Sequence, residues 1–231
     1  VVIIAKFNSK DEISIFSNTK NAPRNYPPLS DFKTNKSDTF LIKEEDYSRI
    51  GRATPYFGDG SGCDHGGGHI HFSNAGTPYL ADIISPVDGE VTMINNCHNL
   101  GTHDKFDIGI SFAQLDGDEV ILSYSIEPVN GIQCGNNPDI YDQYILVENG
   151  QKVQKGDVIA RMPKADTGDD NAHIHFQLNL VSGGIYCPNI FDEKVTQDFS
   201  QMYHGQTCAG REIPATFCFE PAPGQDLFED L

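Results

Sequence analysis

The sequence predicts an all-β protein with an antiparallel, sandwich-like core, and three observations support that fold class. Turn pairs such as Asp88-Gly89 and Asn149-Gly150 separate short segments of β-forming residues, which is typical of β-hairpins. The 231 residues include 22 Gly and 13 Pro, a turn-rich composition. The word His-Ile-His-Phe occurs at residues 69–72 and again at 173–176, with the alternation of a half-buried strand.

The chain divides into three predicted regions. Residues 1–60 form an irregular N-terminal extension, with one candidate strand at 12–16. Residues 61–185 form the β domain, and residues 186–231 form a C-terminal helix with a disulfide-rich tail. The helix is expected over 190–204, where apolar side chains recur at helical spacing.

Alternating residues and turn pairs predict eight strands in the β domain. They are expected at 69–73, 82–85, 90–95, 106–113, 119–125, 144–148, 157–161 and 173–181. A further strand and a short acidic turn are expected within 39–57. Residues 58–68 are dense in glycine, which would let the backbone pass close to a metal or a substrate.

The net charge of −17 excludes some classes of partner. Nucleic acid and anionic membrane surfaces would be repelled. No apolar run approaches the roughly 20 residues that a membrane-spanning helix needs, so no membrane span is expected. A monomer is expected.

The six cysteines predict three disulfides in an oxidising compartment, because none of them forms a Cys-x-x-Cys pair typical of zinc knuckles. Cys97 and Cys134 flank loops of one predicted meander and are the favoured pair, with buried free thiols as the alternative for the set as a whole. An extracellular or periplasmic location follows from this interpretation.

The repeated word His-Ile-His-Phe predicts a metal site. Residues i and i+2 of a strand point to one face, so His69 pairs with His71 and His173 with His175. If the two strands were neighbours, four imidazoles would share one surface, and His65 lies four residues before the first copy. Neutral imidazole is a common zinc ligand, so Zn²⁺ is the expected cofactor. The alternative is that these histidines are ordinary hydrogen-bonded strand residues.

Four segments carry a family resemblance, in the same order along residues 65–180. They are His65-Gly66-Gly67-Gly68-His69, Ser85-Pro86-Val87-Asp88-Gly89-Glu90-Val91, Gly150-Gln151-Lys152-Val153-Gln154-Lys155-Gly156-Asp157-Val158-Ile159 and Ala172-His173-Ile174-His175-Phe176-Gln177-Leu178. Together they resemble the LytM/lysostaphin-type zinc metallopeptidases, whose fold is the antiparallel duplicated hybrid motif. The corresponding family patterns are His-x-Gly-x-Asp, Ala-Pro-x-Asp-Gly-x-Val, Gly-Gln-x-Val-x-x-Gly-x-x-Ile and His-Leu-His-Phe-Glu.

The resemblance implies roles for four histidines. His65 and His175 correspond to zinc ligands, and His69 stands where the family has an aspartate ligand. His173 corresponds to the catalytic histidine beside the metal. If the alignment slips in the segment after His69, His71 becomes the ligand instead.

The chain also departs from the family at a second active-site histidine, which the family carries in a Tyr-x-His-Leu segment. The matching stretch here is Ser123-Tyr124-Ser125-Ile126-Glu127, so Ile126 takes that place. His71, His98 or His103 would have to substitute. His71 is the best candidate for a second catalytic histidine, because it shares a strand face with His69.

The favoured interpretation is therefore a secreted zinc-dependent hydrolase. By resemblance, its substrate would be a peptide in peptidoglycan cross-bridges or a Gly-rich protein. One alternative is a non-catalytic relative that binds metal, cell wall or carbohydrate. Another is a metal-dependent polysaccharide lyase on the same fold, with His173 and Tyr124 beside an open groove.

Overall fold

The structure is a computed structural model of the chain. It describes residues 24–57, 63, 67–73, 79–129, 133–135, 137–163, 172–203, 207–220, 223–229 and 231. The candidate strand at 12–16 and His65 lie outside these residues.

Most of the regular structure is β. The strands within the described residues are β1 (Ile50–Thr54), β2 (Tyr56–Phe57), β3 (Gly68–Phe72), β4 (Tyr79–Ile84), β5 (Gly89–Asn99), β6 (Asp104–Leu115), β7 (Asp118–Glu127), β8 (Lys152–Val153), β9 (Val158–Pro163), β10 (His173–Leu180), β11 (Ile185–Tyr186), β12 (Thr207–Cys208), β13 (Arg211–Glu212) and β14 (Cys218–Phe219). The helices are α1 (Asp31–Thr34), α2 (Glu193–Gln201) and two 3-10 turns, Glu44–Arg49 and Asp142–Tyr144. The α-helices have four and nine residues and are too short to cross a bilayer.

The main sheet places both histidine strands in its interior. Its order is β1-β3-β10-β7-β6-β5-β8, with β11 added beside β10, and its neighbours pair antiparallel. Strands β4 and β9 form a separate antiparallel pair, as do β12 and β13, whereas β2 and β14 pair in parallel. The predicted antiparallel all-β fold with a C-terminal helix is confirmed.

One face of the main sheet packs on an aromatic cluster that α2 helps to build. On β10, Ile174, Phe176 and Leu178 alternate with polar residues and are completely buried. The Phe40 ring lies at the centre of the cluster, with ring centroids 5.4–6.1 Å away in Tyr47, Phe176, Phe191, Phe199 and Phe217. This packing holds the histidine-bearing strand against the core.

The C-terminal helix is shorter than predicted because an aspartate caps it. The Asp192 side chain accepts a hydrogen bond from the Val195 amide at 2.8 Å, so α2 begins at Glu193 rather than near 190. Phe191 lies before this cap and forms an isolated bridge with Ser37 instead.

The predicted strand at 144–148 was wrong. A 3-10 turn occupies Asp142–Tyr144, and only Ile145 makes a bridge, to Ala160. The Gln151 amide then bonds to the Glu148 carbonyl, so the chain turns before a ladder can extend.

Three disulfides join all six cysteines: Cys97–Cys134, Cys63–Cys208 and Cys187–Cys218. The predicted Cys97–Cys134 pair is confirmed. The other two attach the C-terminal tail to the rest of the chain.

One hydrophobic cluster contains residues from all three predicted regions, including Leu29, Ile174 and Phe228.

Candidate functional site

Four imidazoles lie together on the polar face of the main sheet, as the repeated His-Ile-His-Phe word predicts. Strands β3 and β10 are adjacent and antiparallel, with His71 opposite His173 and His69 opposite His175. The ring centroids are 4.7 Å apart in the first pair and 4.5 Å apart in the second. We call the surface formed by these four residues the histidine face.

The histidine face extends sideways into two rows of polar residues, because directly opposite residues on neighbouring strands share a side of the sheet. Across the strands, the outer row is Arg52, His71, His173 and Glu127, and the inner row is Thr54, His69, His175 and Ser125. The inner row continues to Asp107 on β6. Interior strands, rather than loops, thus support the site.

The inner row is the more buried part of the histidine face, with His69 only 1% exposed and His175 8% exposed. The His175 ring lies over the backbone of Gly67, which has a φ of +101°. A Cβ atom at residue 67 would lie 1.8 Å from Nε2 of His175, so only glycine leaves room for this ring. Steric contact with His175 therefore explains why the central residue of the motif at 65–69 is glycine.

Replacing Gly67 by alanine is expected to displace the His175 ring. At a zinc site built on this ring, the displacement would weaken binding at least about tenfold, comparable to the loss of a group that orients a metal ligand. Gly117→Ala is the matched control. Gly117 has a φ of +88°, but a Cβ atom there would have no neighbour within 4 Å. Gly117→Ala therefore strains the backbone without creating a steric clash. Zinc titration of both variants checks this. Equal zinc affinities would contradict the steric role of Gly67.

In the outer row, the Glu127 carboxylate joins two histidines. Nε2 of His173 lies 3.2 Å from Oε2 of Glu127, and Nε2 of His103 lies 2.5 Å from the same oxygen. Burial raises the pKa of Glu127, but the hydrogen bonds from His173 and His103 and the charges of His173 and Lys105 outweigh it. The net result is a pKa of about 2 instead of 4.5. Glu127 is thus a buried anion within the site.

This depressed pKa predicts a pH dependence of stability. The unfolded chain takes up a proton at Glu127 near pH 4.5, whereas the folded chain resists it until about pH 2. The carboxylate therefore contributes its full stabilisation above pH 4.5 and loses it as the pH falls towards 2. At 1.36 kcal/mol per pKa unit this amounts to about 3 kcal/mol.

Urea unfolding of wild type and Glu127→Gln between pH 6 and pH 2.5 measures this contribution. The free energy of unfolding should fall more steeply with acidification in wild type than in the variant. Parallel curves would show that Glu127 is not held as an anion.

The sequence interpretation missed Glu127, because the Tyr-x-His-Leu alignment pointed to Ile126. In the structure Ile126 is completely buried and faces the core. Alternation along β7 carries the missing signal: Tyr124 and Ile126 share the core face, so Ser125 and Glu127 must share the other. Tyr124 is also completely buried and donates to the Ile84 carbonyl, so it does not border an open groove as the lyase interpretation requires.

The remaining histidines have distinct partners. Nη2 of Arg52 lies 2.9 Å from Nε2 of His71. Because arginine only donates, Nε2 of His71 accepts and Nδ1 carries the proton of the neutral ring. His98 lies 3.5 Å from Asp107, away from the four central rings, whereas His103 reaches the site through Glu127.

A clustered ligand set among the described residues lies elsewhere. Cys97, Asp104 and Cys134 bring three ligand atoms within 4.8 Å of one another. Among the described residues, no other group of three or more His, Cys, Asp or Glu side chains does so. The cysteines of this group form a disulfide, and Asp104 accepts hydrogen bonds from the Cys134 amide and the Asn99 side chain. It is therefore a structural group. His65, the further ligand that the family resemblance implies, lies outside the described residues.

No family model and no curated protein matches the sequence. Solved structures with some similarity include an M23-type peptidase from Pseudomonas aeruginosa, at 17% identity over 73% of this chain and 54% of that one, with a TM-score of 0.37. The catalytic domain of lysostaphin from Staphylococcus simulans matches at 18% identity over 62% and 90% of the two chains, with a TM-score of 0.35. A solution structure of lysostaphin matches at 17% identity over 79% and 61%, with a TM-score of 0.40.

The present chain spans about half the length of the Pseudomonas protein. TM-scores this low assign no function to the present chain.

Proposed function

We propose that the protein is a secreted zinc-dependent hydrolase that cleaves peptide bonds in peptidoglycan cross-bridges or in Gly-rich proteins. The observation that carries the proposal is the direct pairing of His69 with His175 on adjacent interior strands, next to the acid–base pair of His173 and Glu127. The sequence resemblance to the LytM/lysostaphin type supplies the peptide substrate class. The three disulfides support an oxidising location.

The residues on the histidine face fit zinc in their chemistry. The rings of His69 and His175 are buried with centroids 4.5 Å apart, and imidazole nitrogen is a ligand that zinc favours. Gly67 has no side chain, which leaves room for the His175 ring beside it. His65, His69 and His175 would hold the ion. When bound, zinc would supply Lewis acidity that polarises the scissile carbonyl and makes water a stronger nucleophile near neutral pH.

The contact between Arg52 and His71 supports His69 rather than His71 as the second ligand. The lone pair on Nε2 of His71 accepts from Arg52, and its Nδ1 carries a proton, so neither nitrogen is suited to a metal in this arrangement. His71 can instead donate from Nδ1 to the oxyanion that develops on the substrate. In this role His71 would partly replace the second active-site histidine of the family, in whose place this chain has Ile126.

His173 would move protons. Its Nε2–H group donates to Glu127, so in the neutral ring the lone pair is on Nδ1, the nitrogen that would accept a proton from the attacking water. The resulting imidazolium is stabilised by the Glu127 carboxylate and can then protonate the leaving amine. Glu127 would orient the ring as well as balance its charge.

Cleavage assays test the proposal against its alternatives. Zinc-loaded protein is incubated with purified peptidoglycan, a pentaglycine peptide, and neutral and anionic polysaccharides, with chelator and zinc add-back controls. New peptide amines that depend on zinc would support the hydrolase, and unsaturated sugar ends would support a lyase instead. Zinc-loaded protein that binds peptidoglycan but cleaves none of these substrates would overturn the proposal and favour a binding module.

A further inference from the structure

A chain of side-chain amides continues from His175 along its own face of β10. Nε2 of His175 lies 2.9 Å from Oε1 of Gln177, Nε2 of Gln177 lies 3.3 Å from Oδ1 of Asn179, and Nδ2 of Asn179 lies 3.1 Å from the Gly184 carbonyl oxygen. The three side chains line up because residues i, i+2 and i+4 of a strand share a face. We call Gln177, Asn179 and the Gly184 carbonyl the amide relay.

We infer that the amide relay determines which nitrogen of His175 carries the proton, and that Gln177 and Asn179 are therefore positioning residues for the metal ligand. The part of this inference that concerns zinc rests on the function proposed above. The part that concerns the proton depends only on hydrogen bonds within the chain.

The direction of the relay follows from its last member. A backbone carbonyl can only accept, so Asn179 must turn its amide NH₂ towards Gly184 and its oxygen towards Gln177. Gln177 must then turn its NH₂ towards Asn179 and its oxygen towards His175. An amide oxygen also only accepts, so Nε2 of His175 is the protonated nitrogen, and in the neutral ring the lone pair is on Nδ1.

The opposite direction is disfavoured at the carbonyl. If both amides were reversed, the Asn179 oxygen would face the Gly184 oxygen, and two acceptors would meet without a proton between them. His175 and Gln177 are each only 8% exposed, so there is little access for water to repair such a mismatch.

The carbonyl itself is positioned by a residue that must be glycine. Gly184 has a φ of +105°, and a Cβ atom there would lie 2.5 Å from the Tyr186 hydroxyl oxygen. It ends the turn between β10 and β11, where Asn179 pairs with Ile185. The hairpin thus presents an acceptor to Asn179.

The relay matters for a metal because only the unprotonated nitrogen can be a ligand. An outer partner that fixes the tautomer and the ring orientation of a metal-binding histidine typically contributes a factor of about 10–100 in metal affinity. A carboxylate at residue 177 would accept from His175 in either rotamer. An amide must be oriented, and Asn179 provides that orientation.

The test reads the tautomer directly, in metal-free protein labelled with ¹⁵N-histidine, at about pH 8.5, where an imidazole of ordinary pKa is neutral. Long-range ¹H–¹⁵N spectra should show His175 protonated at Nε2 in wild type. Gln177→Leu should give a mixture of both tautomers, whereas Gln177→Glu, which keeps the acceptor, should retain the wild-type form. Asn179→Leu should give a partial mixture and Asn179→Asp should not.

Zinc affinity gives the second readout. Gln177→Leu should bind zinc about 10–100-fold more weakly than wild type, and Gln177→Glu should stay within a few-fold. Gln197→Leu on the exposed side of α2 is the control for the loss of a glutamine, and thermal unfolding confirms that each variant folds.

Three results separate this inference from the proposed function. Wild-type His175 protonated at Nδ1, or a Gln177→Leu tautomer identical to wild type, would overturn the relay, whatever the zinc data. The expected tautomers without zinc binding in wild type would support the relay and count against the hydrolase. The expected tautomers with unchanged zinc affinity in Gln177→Leu would overturn the role of the relay in metal binding.

Discussion

Replacing His175 by alanine is expected to reduce the zinc content from about one ion per chain to near zero. The substitution removes the nitrogen donor that lies closest to His69 on the histidine face. Because the Lewis acidity of zinc is worth several kcal/mol in the transition state, peptide cleavage should fall by about 10³-fold or more. Plasma mass spectrometry of the untagged protein measures the first effect, and a peptide cleavage assay measures the second.

His98→Ala is the matched control for the loss of an imidazole on the same sheet. His98 lies near Asp107, outside the proposed ligand set, so its loss should leave the zinc content unchanged. Wild-type protein that takes up no metal even after incubation with zinc would refute the metal site. Full zinc retention in His175→Ala would show that the ion is held elsewhere.

Replacing Phe40 by alanine should destabilise the fold more than any surface substitution. The side chain is 3% exposed and its ring contacts five other aromatic rings, so truncation leaves a cavity that the cluster cannot easily fill. The expected cost is about 3–5 kcal/mol, which corresponds to a decrease in Tm of roughly 10 °C for a chain of this size. Thermal and urea unfolding measure both quantities.

Phe32→Ala removes the same atoms from a half-buried site, where the ring of Phe32 packs edge-on against that of Phe112. Its cost should be less than half that of Phe40→Ala. Equal costs would mean that the cluster around Phe40 has no special role in stability. A smaller cost for Phe40→Ala would mean that the cluster relaxes around the cavity.

The sequence predicted correctly those features that depend only on the alternation of side chains along a strand. The alternation in His-Ile-His-Phe correctly placed His69 with His71, and His173 with His175, on polar faces, because side-chain direction in a strand depends only on residue parity. The same rule would have placed Glu127 on the site and Tyr124 in the core, had it been weighed above the motif alignment. The period was a better guide there than the resemblance.

Other features depend on contacts between distant segments, which no local pattern encodes. The register that sets His175 opposite His69 arises from pairing across about a hundred residues, and a shift by two residues would keep every side chain on its face. Phe40 comes from a segment without a functional motif, yet its ring is central to the core. The three disulfides are one of the fifteen ways to pair six cysteines, and only the fold selects the two that involve the tail.

The interior position of β3 and β10 has a consequence for how the histidine face responds to heat. Strand β3 is hydrogen-bonded to β1 and β10, and β10 to β3 and β7, so the backbone amides around the four histidines are protected on both sides. Such amides exchange with solvent deuterium mainly through global unfolding rather than local fraying. Heating should therefore disrupt the histidine face at the unfolding transition itself, with no earlier step in the exchange of these strand amides.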